Sequence, residues 1–296
     1  MKDYIDLLRN YLEKEKKSSE NTVESYIRDI NQFITYCKSV NIDDLQKVDS
    51  NQLHNYIEYL STSGKSEATK ARILASLRCY FRLLQSKGYI SVNPVSGVVL
   101  NKTVKKLPGI LDSNEIMLLL EQPNGSDYKN IRDKAMLELL YATGIKVSEL
   151  LDLTVSDVNL QIGLIHLKNE KKERFVPMYP AAVKTVSDYI LNVRPVIVSE
   201  RSETHLFTNM SGKPMSRQGF WKIIKHYSET AGIKKDITPH TLRHSFAAHL
   251  LENGAELKDI KEMLGHSDIS STQIYAQFMK SKYTMSYSKF HPLATK

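Results

Sequence analysis

Apolar residues recur every three or four positions through the first hundred residues, which is the period of an amphipathic helix. Three such runs cover 23–37, 53–60 and 73–84, and a shorter pattern covers 2–14. Helix-starting residues and terminating glycines flank the runs: Ser18 or Ser19, Asp49 or Ser50, Ser66, Gly64 and Gly88. The pattern predicts a small domain of four helices over residues 1–90.

The hydrophobic period changes in the second half of the chain. Helical patterns near 113–122 and 127–143 come first. Polar and apolar residues then alternate in SDVNLQIGLIHLKNEKKERFVPMYP, with Gly163 and a charged turn at 169–172, which predicts three short antiparallel strands. After Pro180 the pattern predicts helices joined by short loops. The second domain, residues 112–296, is therefore expected to be α+β.

Residues 91–111 separate the two patterns. The stretch SVNPVSGVVLNKTVKKLPGIL has two prolines, two glycines and three lysines, and no sustained periodicity. We interpret it as a linker. A linker of this kind would let two domains lie on opposite sides of a rod-like ligand, although an ordinary basic connector has the same composition.

Composition narrows the class of protein. Lys and Arg outnumber Asp and Glu by 41 to 33, and the net charge of +8 favours a polyanionic partner. Cys37 and Cys79 lie in helical patterns without metal-ligand spacing, which predicts small buried residues in a reducing compartment. The charged N-terminus and the lack of a long apolar run predict a cytoplasmic protein without membrane insertion.

Basic residues collect on the third long helical run. Lys70, Arg72 and Arg78 lie on or beside its polar face. They form either a solvated helix face or a contact with the DNA backbone. Arg217 follows Ser216, which is placed to cap a later helix, and is a further candidate for a phosphate or base contact. Trp221 in that later helix is expected to be a core residue.

His240 and Arg243 are three residues apart in PHTLRHSF, so a helix that opens after Pro239 places them on one face. A cation and an imidazole on one face can reach the same phosphate. His244 and His249 point elsewhere and are assigned to structure.

Two further residues follow within forty positions. His266 lies in LGHSD, where a helix ends at Gly265 and offers the imidazole at a turn. Tyr275 is one of 16 tyrosines and has no individual signature. Taken alone, His266 could also be an ordinary hydrogen-bonding loop histidine, and Tyr275 would be assigned to packing.

The ordered combination PHTLRHSFAAHLL and LGHSDISSTQIY resembles the tyrosine recombinases, specifically the Xer type that resolves chromosome dimers. Members carry a His-x-x-Arg helix, a Leu-Gly-His turn and a nucleophilic tyrosine nine residues after that histidine. YATGIKVSELLDL, KKERFVP and NTVESYIRDINQF resemble other parts of the family. The resemblance implies a mainly α fold, with an N-terminal four-helix SAM-like core-binding domain and a catalytic domain that holds a small three-stranded antiparallel sheet.

The resemblance also implies the chemistry. Tyr275 would attack a DNA phosphate and form a 3′-phosphotyrosyl link, so no cofactor and no metal are expected. Arg243 would clamp the phosphate through two parallel hydrogen bonds, His240 would exchange a proton with the tyrosine or donate to the phosphate, and His266 would hold a non-bridging oxygen. Lys168 is the favoured general acid.

Two positions depart from the family pattern. The common Xer register places the hairpin lysine at Asn169, so Lys171 and Lys172 are alternatives to Lys168. Lys146 occupies the position of the first catalytic arginine and lacks its planar fork, which predicts a slow or trapped enzyme, whether the change is natural or engineered. Glu149 either orients Lys146 or is an acid on a helix surface.

The implied partners are double-stranded DNA with a short inverted-repeat site and a homo- or hetero-tetramer of recombinases on two such sites. The C-terminal stretch AQFMKSKYTMSYSKFHPLATK would dock into a neighbouring protomer, or its apolar residues would cap their own domain. A septal DNA translocase would activate the reaction, and the protein would be associated with the nucleoid. Alternatives are the integrase of a compact mobile element and a DNA-binding relative with attenuated catalysis.

Overall fold

The chain forms two compact units, residues 1–105 and 106–296, and each has its own hydrophobic core. The protein is described by a computed structural model, which covers residues 4–98, 109–168, 173–200, 202–266 and 272–276. Helices predominate, and the strands of the described residues are confined to the second unit. The predicted fold class is confirmed.

The first unit contains the four predicted helices. They are α1 (Ile5–Asn10, continued by a π-helical turn at Tyr11–Glu15), α2 (Glu20–Ser39), α3 (Ser50–Thr62) and α4 (Glu67–Ser86). The Asp49 side chain accepts hydrogen bonds from two backbone amides of α3, and the Ser66 side chain accepts one from Thr69 in α4. These bonds satisfy amide groups that have no partner inside the helix, and they fix where each helix begins.

The core of the first unit is aromatic at its centre, where Phe33 packs edge-to-face with Tyr56 and with Phe81. Cys37 and Cys79 are buried beside them, as predicted. Burial raises the pKa of the Cys37 thiol to about 11. Both cysteines therefore act as small apolar residues.

The predicted linker begins inside the first unit. Val95 and Val98 are buried in its core, and the Arg78 guanidinium donates a 2.6 Å hydrogen bond to the Val98 carbonyl. At the other end, Leu111 is buried in the core of the second unit. Residues 99–108 of the predicted linker lie outside the described residues.

The second unit is built from eight α-helices among its described residues. They are α5 (Ser113–Glu121), α6 (Tyr128–Thr143), α7 (Val147–Asp152), α8 (Pro180–Asp188, continued by a π-helical turn at Tyr189–Val193), α9 (Arg194–Ile197), α10 (Arg217–Thr230), α11 (Pro239–Glu252) and α12 (Leu257–Leu264). A short helical turn also covers 272–276.

One part of this unit differs from the prediction of short loops after Pro180. The described residues between α9 and α10 form no helix. Isolated bridges instead pair His205 with Thr154, and Thr208 with Pro214. Hydrogen bonds to backbone groups outside a helix hold this connection, and hydrophobic periodicity does not report them.

A three-stranded antiparallel sheet lies between α7 and α8 in the chain, as predicted. Its strands are β1 (Val158–Asn159), β2 (Leu164–Leu167) and β3 (Arg174–Pro177), in that spatial order. Ile165 of β2 lies opposite Val158 on one side and Val176 on the other. Gly163 forms the turn between β1 and β2 with a positive φ of 64°.

No helix in the described residues is long and apolar enough to cross a membrane.

Candidate active site

The site is centred on the first turns of α11. The Thr238 hydroxyl accepts a hydrogen bond from the Thr241 amide, and Pro239 occupies the first helical position, where its missing N–H is no loss. This start places His240 and Arg243 in the first helical turns. His240 is exposed, whereas Arg243 is 4% exposed, so the two residues predicted to share a face differ in their access to solvent.

Arg243 joins the ends of two other helices. Its guanidinium donates to the Gly144 carbonyl at 2.6 Å and to the Leu264 carbonyl at 2.7 Å. Burial lowers the pKa of Arg243, and the charge of Glu149 opposes that effect. A guanidinium has five N–H donors in a planar fork, so this arrangement leaves donors available for phosphate oxygens.

Gly144 produces the turn that leads to Lys146. Its φ is 58°, and a Cβ at this position would lie 2.2 Å from Cδ1 of Phe246, so the turn needs glycine both for its backbone conformation and for its packing. Lys146 occupies the N-cap position of α7 and is exposed. Its backbone amide donates to a Glu149 carboxylate oxygen at 2.8 Å.

Glu149 forms a buried ion pair with Arg174 of β3. The Arg174 guanidinium donates to both carboxylate oxygens, at 3.0 and 2.8 Å, and both side chains are 7% exposed. The interpretation of Glu149 as an acid on a helix surface is wrong. The carboxylate holds the backbone of Lys146 and the guanidinium of the hairpin arginine, Arg174.

Arg174 is a site residue that sequence reasoning missed. In addition to Glu149, it contacts α12 through a 2.9 Å hydrogen bond from Nε to the Met263 carbonyl. Arg174 and Val176 are buried, whereas Phe175 between them is exposed, so Arg174 occupies an inward position of β3. The signal was therefore present: a charged residue in phase with the buried positions of a strand requires a buried partner.

His266 follows the end of α12. Gly265 ends the helix with a φ of 65°, and a Cβ there would lie 2.7 Å from the Arg174 guanidinium carbon. The His266 ring contacts the Thr272 hydroxyl through Nδ1 at 3.0 Å. Burial, followed by the charges of Arg243 and Lys146, lowers the pKa of His266 to about 4. The imidazole is thus neutral at pH 7 and can donate one N–H.

Tyr275 lies in the helical turn 272–276 and is 1% exposed. Its hydroxyl lies 2.8 Å from Nδ1 of His244. Burial raises the pKa of Tyr275, and the charge of Arg243 opposes the rise. The prediction that His244 points away from the site is wrong. His249, the other histidine assigned to structure, is buried and lies 2.9 Å from the Tyr141 hydroxyl.

Lys168 directly follows β2, at the described edge of the hairpin. Its ammonium lies 3.3 Å from the Asp157 carboxylate, and its side chain is 64% exposed. The alternative residues Asn169, Lys171 and Lys172 lie outside the described residues. Lys168 is thus accessible to solvent, and its side chain forms a hydrogen-bonded ion pair with Asp157.

The three residues of α4 predicted to contact DNA, Lys70, Arg72 and Arg78, all have partners within the first unit. Lys70 is 8% exposed and contacts Glu67 and the Ser61 hydroxyl, so it lies inside the unit instead of on the polar face. Arg72 pairs with Asp29, which is 1% exposed, and its own side chain is 42% exposed. Arg72 and Arg78 remain exposed candidates for DNA contact, whereas burial leaves little of Lys70 accessible to DNA.

In α10, the Ser216 hydroxyl accepts the Gly219 amide at 3.0 Å, which confirms the predicted cap. Arg217 follows it and is exposed. Trp221 is 47% exposed, with the Lys225 ammonium 5.6 Å from its ring centre, so the prediction that it is a core residue is wrong. Among the described residues, no group of three or more His, Cys, Asp or Glu side chains could hold a metal ion.

Comparison with known proteins agrees with this constellation. The model of the phage integrase N-terminal SAM-like domain matches residues 5–88, and that of the phage integrase family matches residues 110–282. The chain belongs to the phage integrase family and is a tyrosine recombinase.

Among individual relatives, the chain is 40% identical over 295 residues to tyrosine recombinase XerD of Staphylococcus epidermidis, with 99% of this chain and 100% of that protein covered. It is 42% identical over 282 residues to tyrosine recombinase XerD of Halalkalibacterium halodurans, with 95% and 94% covered.

Solved structures show a similar fold. XerH site-specific recombinase bound to a palindromic difH substrate, in a post-cleavage complex, matches with a TM-score of 0.79 and 22% identity over 96% of this chain and 84% of that chain. The Tn1549 transposon integrase in complex with circular intermediate DNA matches with a TM-score of 0.75 and 19% identity over 96% and 99%.

Proposed function

We propose that this protein is a site-specific DNA recombinase that cleaves and rejoins DNA through a 3′-phosphotyrosyl link at Tyr275. The observation that carries the proposal is the arrangement around Arg243. Its guanidinium is bound to the end of α12, one residue before Gly265 and two before His266, and its charge acts on both His266 and Tyr275. A single phosphate placed beside Arg243 is therefore within the field of all three groups.

In the proposed reaction, the Tyr275 oxygen attacks phosphorus and the bond to the 5′ oxygen breaks. Arg243 stabilises the charge on the non-bridging oxygens through its unused N–H donors, and neutral His266 donates to one of these oxygens. Exposed His240 donates to the phosphate from the helix N-terminus. Lys168, or another hairpin lysine, protonates the leaving oxygen.

The phosphotyrosyl link stores the energy of the broken bond, so the 5′ hydroxyl of another strand can attack it and restore the DNA backbone. No nucleotide is consumed in either step. This accounts for the expectation that no cofactor is required, and it makes the tyrosine available for another cycle.

Lys146 is the feature that most affects the expected rate. It holds a positive charge at the start of α7 but cannot form two parallel hydrogen bonds to phosphate as an arginine can. Loss of one donor to a developing oxyanion costs about 3 kcal/mol, or at least roughly a hundredfold in rate. We therefore expect the covalent complex to form slowly, and to be rejoined slowly once it has formed.

By analogy with its XerD relatives, we assign the protein to resolution of chromosome dimers at a dif-like site, which is a short inverted repeat. The active assembly would be a homo- or hetero-tetramer on two sites, activated by a septal DNA translocase. We place the protein in the cytoplasm, associated with the nucleoid. The structural similarity to XerH bound to difH supports this assignment.

An apolar cavity in the second unit offers a place for the C-terminal tail of a neighbouring protomer. It measures about 430 Å³ and is lined by residues from α6, β3 and α11, which include Tyr141, Pro177 and Phe246. The tail contains several aromatic and methionine residues that suit such a surface. Docking of this kind would couple cleavage between subunits of the proposed tetramer.

Two other functions have specific support. The fold shared with the Tn1549 transposon integrase is compatible with the integrase of a compact mobile element. Lys146 is compatible with a DNA-binding relative in which catalysis is attenuated.

The test begins with selection of the cognate site from a duplex library that contains randomised inverted repeats. The selected site, nicked close to the cleavage position, traps the covalent complex because the short fragment diffuses away. We expect a DNA adduct that is lost in Tyr275→Phe and forms roughly a hundredfold faster in Lys146→Arg. Absence of an adduct from both the parent and Lys146→Arg would contradict the enzymatic proposal.

The biological role is tested separately by mapping where the protein crosslinks to its own genome. A principal site close to the replication terminus supports dimer resolution, and loss of the protein should then cause filamentous cells with unresolved chromosomes. Sites confined to the ends of a mobile segment would instead support the integrase.

A further inference from the structure

The Tyr275 hydroxyl has a defined partner in the free protein. It lies 2.8 Å from Nδ1 of His244, and in the described part of the chain His244 is the residue that hydrogen bonds with it. The tyrosine ring is packed with Phe246, Ile260 and Leu264 in a small apolar cluster. Among the described residues, the hydroxyl is therefore held by a hydrogen bond with His244 beside an apolar cluster.

The geometry of α11 separates His244 from Arg243 and places it one turn after His240. Successive residues of an α-helix are rotated by about 100°, so His244 leaves the helix on a different side from Arg243. Arg243 extends towards Gly144 and Leu264, while His244 extends towards Tyr275. His240 lies one turn earlier and is exposed, with its ring centre 6.4 Å from that of His244.

The protonation states suit a transfer from tyrosine to histidine. Burial, followed by the charges of His240 and Arg243 on its own helix, lowers the pKa of His244 to about 4. His266, from the end of α12, also interacts with it. His244 is therefore neutral at pH 7. Burial raises the pKa of Tyr275, so the phenol keeps its proton and donates it to the unprotonated Nδ1.

Binding of DNA would strengthen His244 as a base. A phosphate beside Arg243 and His240 introduces negative charge close to His244, where the positive charge of Arg243 disfavours an imidazolium. Nearby negative charge favours the protonated form of histidine. The second negative charge that develops as the phenolate oxygen bonds to phosphorus acts in the same direction, so proton affinity rises as the reaction proceeds.

We propose that His244, and not His240, is the catalytic residue that takes the proton from Tyr275 during cleavage and returns it during rejoining. This rests on the proposed function, in which Tyr275 is the nucleophile. In cleavage, the Oη–H bond breaks and its proton moves to Nδ1, the Oη–P bond forms, and the P–O5′ bond breaks with protonation of the 5′ oxygen by the hairpin lysine. Rejoining reverses each step, and the phenol recovers its proton from Nδ1.

The test compares asparagine substitutions at three histidines. His244→Asn retains a polar atom near the position of Nδ1 but cannot accept a full proton at neutral pH. His240→Asn makes the same change at the exposed histidine. His226→Asn is the control, because it removes another histidine beside a tyrosine, with ring centres 4.9 Å apart, outside the proposed site and the docking cavity.

Single-turnover formation of the adduct on the nicked substrate is measured against pH. We expect His244→Asn to form it about 100- to 10,000-fold more slowly at pH 7 and to gain rate steadily as the pH rises, because only preformed phenolate then attacks. His226→Asn should keep the parental rate. His240→Asn should keep the parental pH dependence, because it interacts with phosphate and not with the nucleophile.

A substrate with sulfur in place of the bridging 5′ oxygen separates the two proton transfers. A thiolate leaves without a general acid, so this substrate should restore cleavage by a hairpin-lysine variant but not by His244→Asn. Restoration of His244→Asn by sulfur, or a parental rate for His244→Asn, would overturn the proposal. The proposal would also be overturned if the pH dependence of adduct formation changed in His240→Asn and not in His244→Asn.

Nitrogen NMR of the free protein provides a readout that does not require an active or DNA-bound variant. The Nδ1 resonance of His244 should have the shift of an unprotonated, hydrogen-bonded nitrogen and should move in Tyr275→Phe, whereas His240 should not respond. No change at His244 would overturn the proposal even if His244→Asn failed to fold. An adduct that persists in Tyr275→Phe, by contrast, would refute the assignment of the nucleophile itself.

Discussion

Replacement of Glu149 by glutamine should destabilise the second unit strongly, because it breaks a buried ion pair from one side. The carboxylate accepts three hydrogen bonds, two from the Arg174 guanidinium at 3.0 and 2.8 Å and one from the Lys146 amide at 2.8 Å. Glutamine keeps one oxygen and turns an N–H₂ group towards a donor. It also leaves the Arg174 charge buried without a counter-ion.

The magnitude follows from burial. Both side chains of the pair are 7% exposed, so water cannot replace the lost partner. Removal of one member of such a pair costs about 3–5 kcal/mol. For a unit of this size, that loss corresponds to a decrease in melting temperature of roughly 6–20 °C.

Urea unfolding followed by tryptophan fluorescence is the appropriate assay, because the single tryptophan, Trp221, lies in the second unit. Asp236→Asn is the control, since it removes one negative charge from a pair with Lys225 in which Asp236 is 78% exposed. That exposed pair should contribute at most about 1 kcal/mol. Far-UV circular dichroism checks each transition, because Lys225 also lies near the Trp221 ring.

The reasoning would be refuted if Glu149→Gln cost no more than Asp236→Asn. A double-mutant cycle with Arg174→Gln sharpens the test, because the two losses should not add when both partners are replaced. Additive losses would mean that Glu149 and Arg174 stabilise the fold independently and that their contact has no energetic role.

Two further outcomes follow from glycine and histidine positions. Gly265→Ala should lower the free energy of unfolding by about 1–3 kcal/mol because of its positive φ, and further because the new Cβ would contact Arg174. Gly254→Ala, with a φ of 93° and no atom within 4 Å, should show the effect of backbone strain alone. The urea midpoints of the two variants are compared. Burial lowers the pKa of His244 and of His266 from 6.5 to about 4, so their contribution to stability is complete above pH 6.5 and is lost as the pH falls towards 4. The free energy of unfolding should decrease over that window, and less steeply in a His266→Gln variant; an unchanged slope would contradict the assignment.

The helices and strands could be predicted because their signals are local. The capping hydroxyl of Ser66 and the turn at Gly163 act within a few residues of their own positions, so a single stretch of sequence contains the whole interaction. The same holds for the order of Pro239, His240 and Arg243 in α11. Such features depend little on how distant parts of the chain pack.

His244 could not be assigned by the same reasoning. On a helix with one buried side, a residue such as His244 that lies on a different side from Arg243 would be expected to face solvent. However, α11 is buried around most of its circumference, so the direction away from Arg243 leads to a second buried surface, on which Tyr275 lies. Only the tertiary fold brings the turn 272–276 to that surface.

Lys70 and Trp221 show the opposite limitation. The ammonium of Lys70 has a partner in Ser61 on the preceding helix, so the residue tolerates burial although its type favours a polar face. Trp221 lies on the outer side of α10 because Phe220 and Ile224 already occupy the inner side. Residue type alone does not determine which side of a helix a large amphipathic side chain takes.

The shared carbonyl at the end of α12 has a consequence for the resting protein. This is the Leu264 carbonyl, to which Arg243 donates at 2.7 Å and Arg174 at 3.5 Å. A helix C-terminus contributes only a partial negative charge. Glu149 is the full negative charge of this cluster in the described residues, against the cations Arg243, Arg174 and Lys146. The free enzyme therefore holds like charges together at the expense of its own stability. In the proposed reaction, the phosphate of bound DNA would relieve that repulsion. Bound DNA would then supply the counter-ion of this cationic cluster.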